Sequence, residues 1–269
     1  MENKPKKLVT DDCVSFVMTE WCNYLCKHCM RGTRRRNTIS EEVIDAFLAQ
    51  VLIKGNVTLT GGEPLLALEQ INYLLGRLKE LGNTPTRITL ITNGSIKSKQ
   101  FEKFIESCRR TDNRPEVYVS NDYFHYLERK RLNDDVDFIH DRMVEYWDIM
   151  KWNGFGEITA YVPLMMEQFD PRMKYGEDVL AIGRGAKIEG SSPNFKTSYE
   201  LTSFVCDYGP DEKLSGDIQL HTDGRITPIR DLSWEELEQH YGQEYNCIEH
   251  SIPRILRMER KSNDEYIPF

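Results

Sequence analysis

The sequence of 269 residues predicts an α/β fold, namely a partial (β/α)6 TIM-like barrel with a small C-terminal hairpin-plus-helix extension. Short apolar segments alternate with helical apolar patterns up to about residue 205, and this alternation is typical of parallel βα units. Five or six units fit into that length, which is too few for an eight-fold barrel. From residue 206 onward the alternation gives way to a hairpin pattern and one helix.

Each predicted unit begins with a strand and continues into a helix. Ser40 is a typical N-cap for the first helix because acidic residues and then apolar residues at helical spacing follow it. Gly82 is a typical end for the second helix. The predicted strands are Asp12–Thr19, Asn56–Thr60, Arg87–Ile91, Glu116–Ser120 and, more weakly, Glu157–Val162 and Val179–Ile182. The predicted helices cover residues 40–52, 65–81, 99–109 and 135–152.

The C-terminal extension has its own pattern. Two short apolar segments flank a turn at Asp223-Gly224, which predicts a hairpin. Ser233 and Glu236 form a capping-box pattern, which predicts a helix that ends near Tyr241. We therefore expect a core of residues 1–205 and an extension of residues 206–269.

Composition limits the classes of partner. The formal net charge of −8, from 35 basic and 43 acidic residues, disfavours nonspecific attraction to nucleic acid or anionic lipid. No apolar stretch approaches the roughly 20 residues that a membrane helix needs, and the polar N-terminus does not resemble a signal peptide. We therefore expect a cytoplasmic protein without membrane or nucleic-acid partners. In that compartment its 7 cysteines stay reduced.

Three of the cysteines, Cys22, Cys26 and Cys29, lie within eight residues, directly after the first predicted strand. Three thiolates on a four-iron cluster leave one iron open to bind another molecule. Structural zinc usually takes four protein ligands, and the fourth ligand is not evident here because His28 is adjacent to Cys29. The spacing favours an iron-sulfur site over a zinc-structured binding protein, which remains the non-enzyme alternative.

A second motif, Gly61-Gly62-Glu63-Pro64, ends the next strand. Glycines allow close approach of a ligand to the backbone, and a carboxylate can oppose a cationic amine in a charge-assisted hydrogen bond. The same residues are also compatible with an ordinary strand-to-helix turn with proline near the first helical position.

The two motifs in this order resemble the radical S-adenosylmethionine enzymes. The resemblance implies that Cys22, Cys26 and Cys29 hold one 4Fe-4S cluster, with His28 in the family's aromatic-or-histidine position. It further implies that the open iron binds the amine and carboxylate of S-adenosylmethionine, and that Glu63 contacts the amine. Reductive cleavage would then yield a 5′-deoxyadenosyl radical that abstracts hydrogen from a substrate.

Weaker matches extend the expected cofactor site. The segments Thr92-Asn93-Gly94, Ser120-Asn121-Asp122 and Gly183-Arg184-Gly185 resemble later strand ends of the family, although read alone they are also typical of turns and of a solvated arginine. The cofactor-binding residues implied by the resemblance are His28, Gly61, Gly62, Glu63, Pro64, Asn93, Ser120, Asp122 and Arg184.

The C-terminal segment resembles a degenerate SPASM-like extension. In that family a cysteine follows the proline of the hairpin, but here Ile229 and Arg230 follow Pro228. We therefore expect no auxiliary cluster, with Cys206 and Cys247 as buried apolar thiols. The extension favours a peptide or protein side chain as substrate. A small molecule or nucleotide, and activation of a glycyl-radical enzyme, are the alternatives.

The resemblance also implies a low-potential electron donor of the flavodoxin or ferredoxin type. Catalytic side chains are not identified by the sequence. The basic run Arg34-Arg35-Arg36 and the nearby Arg31 are interpreted as a solvated face, with anion binding or donor docking as the alternative. His125 is interpreted as a loop residue in a patch of aromatic packing.

Overall fold

The computed structural model describes residues 7–132, 138–155, 164–166, 184, 187, 213–228 and 232–265. The strands are β1 (Leu8–Thr10), β2 (Val14–Thr19), β3 (Val51–Ile53), β4 (Asn56–Gly61), β5 (Arg87–Thr92), β6 (Pro115–Val119), β7 (Leu164–Met166), β8 (Lys213–Leu214), β9 (Ile218–Leu220) and β10 (Ile226–Pro228). The helices are α1 (Glu41–Leu48), α2 (Leu68–Glu80), α3 (Ser98–Arg110), α4 (Tyr123–Arg131), α5 (Phe138–Trp152), α6 (Trp234–His240) and α7 (Ile252–Glu265).

The main sheet has seven strands in the order β10-β9-β2-β4-β5-β6-β7. Every neighbouring pair is parallel except the hairpin β9–β10, which is antiparallel. Among the described strands β7 and β10 are the two edges, so the described sheet does not close into a full barrel. The predicted α/β fold with a parallel, TIM-like partial barrel is confirmed.

Alternation along the strands divides the sheet into an apolar face and a polar face. In β4, Val57 and Leu59 are fully buried with the core residues of the helices, while Thr58 and Thr60 face the other way and line cavities. Because parallel strands present their carboxyl ends at one edge, the turns after β2, β4, β5 and β6 meet at the same end of the sheet. The candidate site residues lie at that end.

The first helix is shorter than its apolar pattern predicts. Its N-cap is confirmed, since the Ser40 hydroxyl accepts a hydrogen bond from the Val43 N–H at 3.2 Å, but α1 ends at Leu48. Val51 and Leu52 belong to β3, which lies beside β1 in a separate three-stranded sheet of order β3-β1-β8. Strand pairing with β1 overrides the local helical periodicity there.

Helix α4 is a structural feature that the sequence interpretation missed. The segment that contains His125 is helical from Tyr123 to Arg131, not a loop. Its signal is Asp122, whose side chain accepts hydrogen bonds from the backbone N–H groups of Phe124 and His125, as an N-cap does. The apolar periodicity is weak because one face of α4 packs against the cysteine loop rather than against the main core.

The C-terminal hairpin and its helix are confirmed. The Ser233 hydroxyl accepts a hydrogen bond from the Glu236 N–H while the Glu236 carboxylate accepts one from the Ser233 N–H, which is a complete capping box at the start of α6. Strand β9 pairs in parallel with β2, so this hairpin is part of the main sheet. The predicted boundary at residues 205 and 206, the predicted strands Glu157–Val162 and Val179–Ile182, and Cys206 lie outside the described residues. None of the described helices has the length and hydrophobicity required to span a membrane.

Candidate active site

The thiols of Cys22, Cys26 and Cys29 share one wall of a cavity of about 500 Å³. They lie on the loop that follows β2, and this loop turns tightly because the Cys29 N–H donates to the Cys26 carbonyl at 3.2 Å. The other described walls are the ends of β4, β5 and β6, the start of α4 and part of β9. The described lining residues are Ser15, Cys22, Tyr24, Cys26, His28, Cys29, Met30, Arg31, Thr58, Thr60, Gly61, Gly62, Ile91, Thr92, Asn93, Ser120, His125, Arg184 and Gln219.

The electrostatics of the Cys22 and Cys26 thiols suit a site that a bound metal group completes. Burial raises the pKa of the Cys22 thiol to about 11, and burial likewise raises the pKa of Cys26 well above its ordinary value. Without a positive partner these thiols stay protonated at neutral pH, whereas bound iron stabilises the thiolates.

The donor set also tests which metal group fits. Cys108 is buried on α3, Cys247 is buried in the C-terminal segment, and Cys13 contacts Thr58, so within the described residues none of these adds a fourth thiol to the loop. A three-thiol set fits a four-iron cluster with one open iron better than a closed structural zinc site.

The two glycines after β4 are required by the protein's own backbone. A Cβ atom on Gly61 would lie 2.2 Å from the Thr19 carbonyl oxygen, and one on Gly62 would lie 2.2 Å from that of Trp21. Gly61 also has a φ of 135°, which favours glycine. The Gly62 and Glu63 N–H groups donate to the Thr19 and Trp21 carbonyls at 2.7 and 2.9 Å. The motif therefore anchors the start of the cysteine loop, a role that the sequence interpretation did not include.

Glu63 is fully buried directly behind the cavity wall. Its Oε1 accepts hydrogen bonds from the Thr92 hydroxyl at 2.9 Å and the Leu65 N–H at 3.2 Å, and its Oε2 accepts one from the Asn93 N–H at 2.8 Å. Burial raises the pKa of the carboxyl to about 7, against the opposing effect of these donors. Pro64 begins a 3-10 turn and is also buried. Contact of Glu63 with the cofactor amine stays a prediction, and it requires a local movement of the cavity wall, because Glu63 is not among the described lining residues.

Asn93 and Ser120 reach the cavity from β5 and β6. The Asn93 amide nitrogen lies 3.6 Å from the Cys22 sulfur and donates to the Asn23 side-chain oxygen at 3.1 Å. Asn93 thus contacts both the cysteine loop and, through its backbone, Glu63. Ser120 lines the cavity beside it. The resemblance implied that residues at the ends of different strands contribute to one site. Asn93 and Ser120, which follow β5 and β6, do line the same cavity.

Asp122 joins α4 to the cysteine loop through two histidines. Its Oδ2 lies 3.1 Å from Nε2 of His28 and 2.5 Å from Nδ1 of His125. Burial opposes ionisation of this carboxyl, but hydrogen bonds from His125 and His28 outweigh it and hold the pKa of Asp122 well below its usual range. The His28 ring also stacks on Phe124 at a centroid distance of 4.6 Å. In this arrangement Asp122 is enclosed by the protein, while His28 and His125 line the cavity.

Backbone atoms of the cysteine loop have two further side-chain partners. The Glu128 carboxylate on α4 accepts a hydrogen bond from the Leu25 N–H at 2.8 Å. Arg184 donates from Nε to the Cys26 carbonyl at 2.9 Å and from Nη1 to the Gly32 carbonyl at 2.6 Å. Arg184 was expected at the cofactor, and it lines the cavity while binding the loop backbone. Its neighbours Gly183 and Gly185 lie outside the described residues.

The basic run is not a freely solvated face, contrary to the favoured interpretation of the sequence. Arg34 lies over the Trp21 ring at 4.4 Å and donates to the Cys22 carbonyl at 3.0 Å. Arg35 forms an ion pair with Glu238 of α6, and Arg31 donates to the Leu232 carbonyl. The contacts of Arg31 and Arg35 tie the cysteine loop to the C-terminal extension, which lies beside β2 in the sheet.

The deeper part of the cavity is polar and was missed by sequence reasoning. Ser15 of β2, Thr58 of β4 and Gln219 of β9 line it, and the Gln219 amide nitrogen is buried without a hydrogen-bond partner. No carboxylate is among the described lining residues, while Arg31 and Arg184 are. In the sequence, the signal for these three residues is the alternation of side chains along the strands. That signal is useful only if the pairing of β9 with β2 is also known.

Comparison with known proteins places this site in a family. Residues 16–139 match the family model described as the Radical SAM superfamily. GTP 3′,8-cyclase of Rhizobium etli (strain CIAT 652) is 32% identical over 166 residues, which cover 59% of this chain and 39% of that protein. A putative L-lysine 2,3-aminomutase of Aquifex aeolicus (strain VF5) is 35% identical over 77 residues, which cover 26% of this chain and 21% of that protein. The matches thus span well under half the length of these curated relatives.

In fold, the chain is similar to native anSMEcpe, solved with bound AdoMet and a Cp18Cys peptide. The TM-score is 0.54 at 16% sequence identity, over 96% of this chain and 82% of that chain. The family match covers the cysteine loop and the strands β4, β5 and β6 of the cavity walls, but not β9. The chain therefore contains a Radical SAM superfamily domain over residues 16–139, and the enzymes of that family use a 4Fe-4S cluster and S-adenosylmethionine.

Proposed function

We propose that the enzyme cleaves S-adenosylmethionine reductively at one 4Fe-4S cluster and uses the resulting radical to abstract hydrogen from a peptide or protein side chain. The observation that carries the first half is the convergence of Cys22, Cys26 and Cys29 on one wall of a cavity at the carboxyl ends of parallel strands. The cluster, when bound, supplies the electron that cleaves the sulfonium and yields a 5′-deoxyadenosyl radical.

The chain's own residues then have distinct tasks. Cys22, Cys26 and Cys29 hold the cluster. Asn93, Ser120 and His28 present polar atoms at the cavity wall where the methionine and ribose portions of S-adenosylmethionine would bind. A cavity lining without described carboxylates, with Arg31 and Arg184 present, favours binding of the cofactor's carboxylate. Glu63 is proposed for the amine, together with the backbone of the Gly61-Gly62 turn.

A peptide or protein substrate is supported by the C-terminal extension. Its hairpin completes the sheet beside β2, and Gln219 from this hairpin contributes a buried amide to the cavity floor. An amide of this kind can recognise a backbone or side-chain carbonyl oxygen of a substrate. The similarity in fold to a peptide-bound enzyme extends over this extension, since 96% of the chain is covered.

A nucleotide is the second candidate substrate. The sequence similarity to GTP 3′,8-cyclase of Rhizobium etli covers 59% of the chain, and a carboxylate-free lining with two arginines is compatible with phosphate groups. The electron donor is proposed to be of the flavodoxin or ferredoxin type, as radical SAM enzymes require a reductant.

The test is anaerobic incubation of reconstituted enzyme with S-adenosylmethionine deuterated at the 5′ position and a low-potential reductant. We expect 5′-deoxyadenosine well above a Cys26→Ala control, which lacks a cluster ligand. Adding peptide-rich or nucleotide fractions of cell extract, and GTP in a separate arm, identifies the substrate by faster cleavage of S-adenosylmethionine and by a product that derives from the added molecule. Absence of 5′-deoxyadenosine from iron-loaded enzyme would contradict the reductive cleavage, and stimulation by GTP alone would replace the peptide substrate with a nucleotide.

A further inference from the structure

A second cavity, of about 320 Å³, lies on the polar face of the sheet next to the cavity at the cysteine loop. Thr58 and Ile91 line both cavities, so the two adjoin. Other walls of the second cavity are formed by Arg87 and Thr89 of β5 and by Glu116 of β6. A ligand bound beside the cysteine loop can therefore extend into the second cavity.

A row of polar side chains connects the two cavities across five strands. Thr58 of β4 is paired with Ser15 of β2 on one side and with Thr89 of β5 on the other. Thr89 is in turn paired with Glu116 of β6, and Ser15 is paired with Gln219 of β9. Paired residues of neighbouring strands point to the same face of a sheet, so these five side chains form one continuous polar row.

Glu116, at one end of this row, has an acceptor atom that the protein does not use. The residue is 4% exposed, and its Oε2 lies 3.2 Å from Nη1 of Arg87 and accepts a hydrogen bond from the Thr89 hydroxyl at 3.4 Å. Arg87 is itself fixed through Nε by the Asn56 side-chain oxygen at 3.0 Å. The other oxygen, Oε1, is buried without a hydrogen-bond partner among the described residues. The ion pair with Arg87 therefore accounts for one carboxylate oxygen and leaves the other for a ligand.

The surroundings of Glu116 define the chemistry of that ligand. A carboxylate accepts hydrogen bonds and does not donate them, so the group that binds Oε1 must carry an N–H or O–H. The guanidinium of Arg87 already balances the carboxylate charge, which favours a neutral donor over a second cation. Because Oε1 is itself buried, contact with a ligand in the cavity requires a small rotation of the carboxylate. An amide N–H of a peptide has the required properties.

We propose that Glu116 is a specificity-determining residue whose Oε1 accepts a hydrogen bond from an amide N–H of a peptide substrate. This inference rests on the proposed function, because it takes the cavity at the cysteine loop as the place of hydrogen abstraction. Glu116 lies two strands away from Thr58, which is about 10 Å across a sheet. An extended peptide covers that distance with about three residues, so the recognised amide is separated from the reacting side chain by a short segment.

The test measures binding of two small probes to reconstituted full-length enzyme by saturation-transfer NMR under anaerobic conditions. N-methylacetamide carries the N–H and C=O groups of a peptide bond, whereas N,N-dimethylacetamide has a methyl group in place of that N–H. We expect the wild type to bind N-methylacetamide about tenfold more tightly than the dimethyl compound, because only the former can donate to Oε1.

Glu116→Gln is expected to abolish this preference. Arg87 and Thr89 are donors, so the carbonyl oxygen of glutamine stays at the position of Oε2 and its NH2 group takes the place of Oε1. The site then offers a donor, and both probes have a carbonyl oxygen that can accept from it. Glu106→Gln is the matched control, since it removes the same charge from an exposed position of α3 and should retain the wild-type preference.

A wild type without the preference, or a Glu116→Gln protein that retains it, would overturn the inference. Its loss in Glu106→Gln would also overturn it, since the effect would then be one of net charge. If Glu116→Gln does not fold, Glu116→Asp decides, because it withdraws the acceptor by one methylene group. A reduced preference in Glu116→Asp supports the inference, and an unchanged preference overturns it.

Guanosine is a third probe, because its ring N1–H donor lies beside a carbonyl group as in an amide. Binding of guanosine that depends on Glu116, without binding of N-methylacetamide, would overturn the peptide assignment in favour of a nucleotide. Failure of the proposed function is distinguished by its own readout. A wild type that discriminates the two amides but forms no 5′-deoxyadenosine contradicts reductive cleavage and not the binding role of Glu116.

Discussion

The carboxylate of Asp122 lies 3.1 Å from Nε2 of His28, so the first turn of α4 is linked directly to the cysteine loop. The two residues are far apart in the chain, and the contact depends on the position of β6 in the same sheet as β2, with β4 and β5 between them. Asp122 also caps α4, which makes one side chain responsible for both the helix start and the orientation of His28.

Asp122→Ala is expected to destabilise the protein and to loosen the loop. Loss of the N-cap alone costs about 1 kcal/mol, and loss of the two histidine contacts adds to it. Asp122→Asn is the comparison, because its amide oxygen retains a cap acceptor without the charge. Urea unfolding under anaerobic conditions should rank wild type above Asp122→Asn and Asp122→Ala last. Equal stability of all three would show that the bridge between α4 and the loop is not formed.

Gly62→Ala is expected to disrupt the start of the cysteine loop. Its Cβ would lie 2.2 Å from the Trp21 carbonyl oxygen, a contact that requires the backbone to move. We expect a loss of iron binding and of more than about 2 kcal/mol in unfolding free energy. Gly76→Ala is the control, because nothing lies within 4 Å of its added Cβ in α2 and alanine favours the helix by roughly 0.5–1 kcal/mol. A Gly62→Ala protein with full iron content would contradict this packing role.

Glu63→Gln is expected to lower stability as well as affinity for S-adenosylmethionine. All three described partners of the carboxylate are donors, so the amide nitrogen of glutamine would face a donor and leave it unsatisfied, at a cost of about 1–3 kcal/mol. Calorimetric titration of iron-loaded protein with the cofactor measures the second effect. Unchanged affinity together with reduced stability would assign Glu63 to support of the turn and not to amine binding.

The same carboxyl predicts a pH dependence of stability. Burial raises the pKa of Glu63 from its ordinary 4.5 to about 7, so between these values the folded state binds more protons than the unfolded state. Stability from this group therefore falls as pH rises from about 4.5 to about 7 and is constant above that, with a total of roughly 3 kcal/mol. Urea unfolding at pH 5, 6, 7 and 8 should show this slope in wild type and not in Glu63→Gln. An identical pH profile for both proteins would refute the raised pKa.

Cluster stoichiometry is expected to be one per chain, near four irons and four sulfides. Alanine at Cys22, Cys26 or Cys29 should abolish it. Cys206→Ala and Cys247→Ala should keep the iron content and the production of 5′-deoxyadenosine, with at most a packing loss in stability. Burial of Cys247 within the main core agrees with this expectation. A wild type with about eight irons that drops to about four in Cys206→Ala would instead indicate an auxiliary cluster.

The sequence by itself predicted the fold class, the Radical SAM domain and the motifs of the proposed site, because each depends on local signals. The spacing from Cys22 to Cys29 and the Gly61–Pro64 turn each lie within one short segment, and alternating βα patterns follow from period and capping residues such as Ser40 and Ser233.

Only the tertiary structure decided how those segments contact one another. The helix α4, the burial of Glu63 behind the cavity wall, the docking of the basic run and the polar row from Gln219 to Glu116 all depend on neighbours brought together by strand order, not by sequence distance. Val51 shows the same effect in the fold, since pairing of β3 with β1 overrides its helical periodicity. Local propensity differences are small compared with the free energy of burial and pairing, so a contact between distant segments determines the final conformation wherever the two conflict.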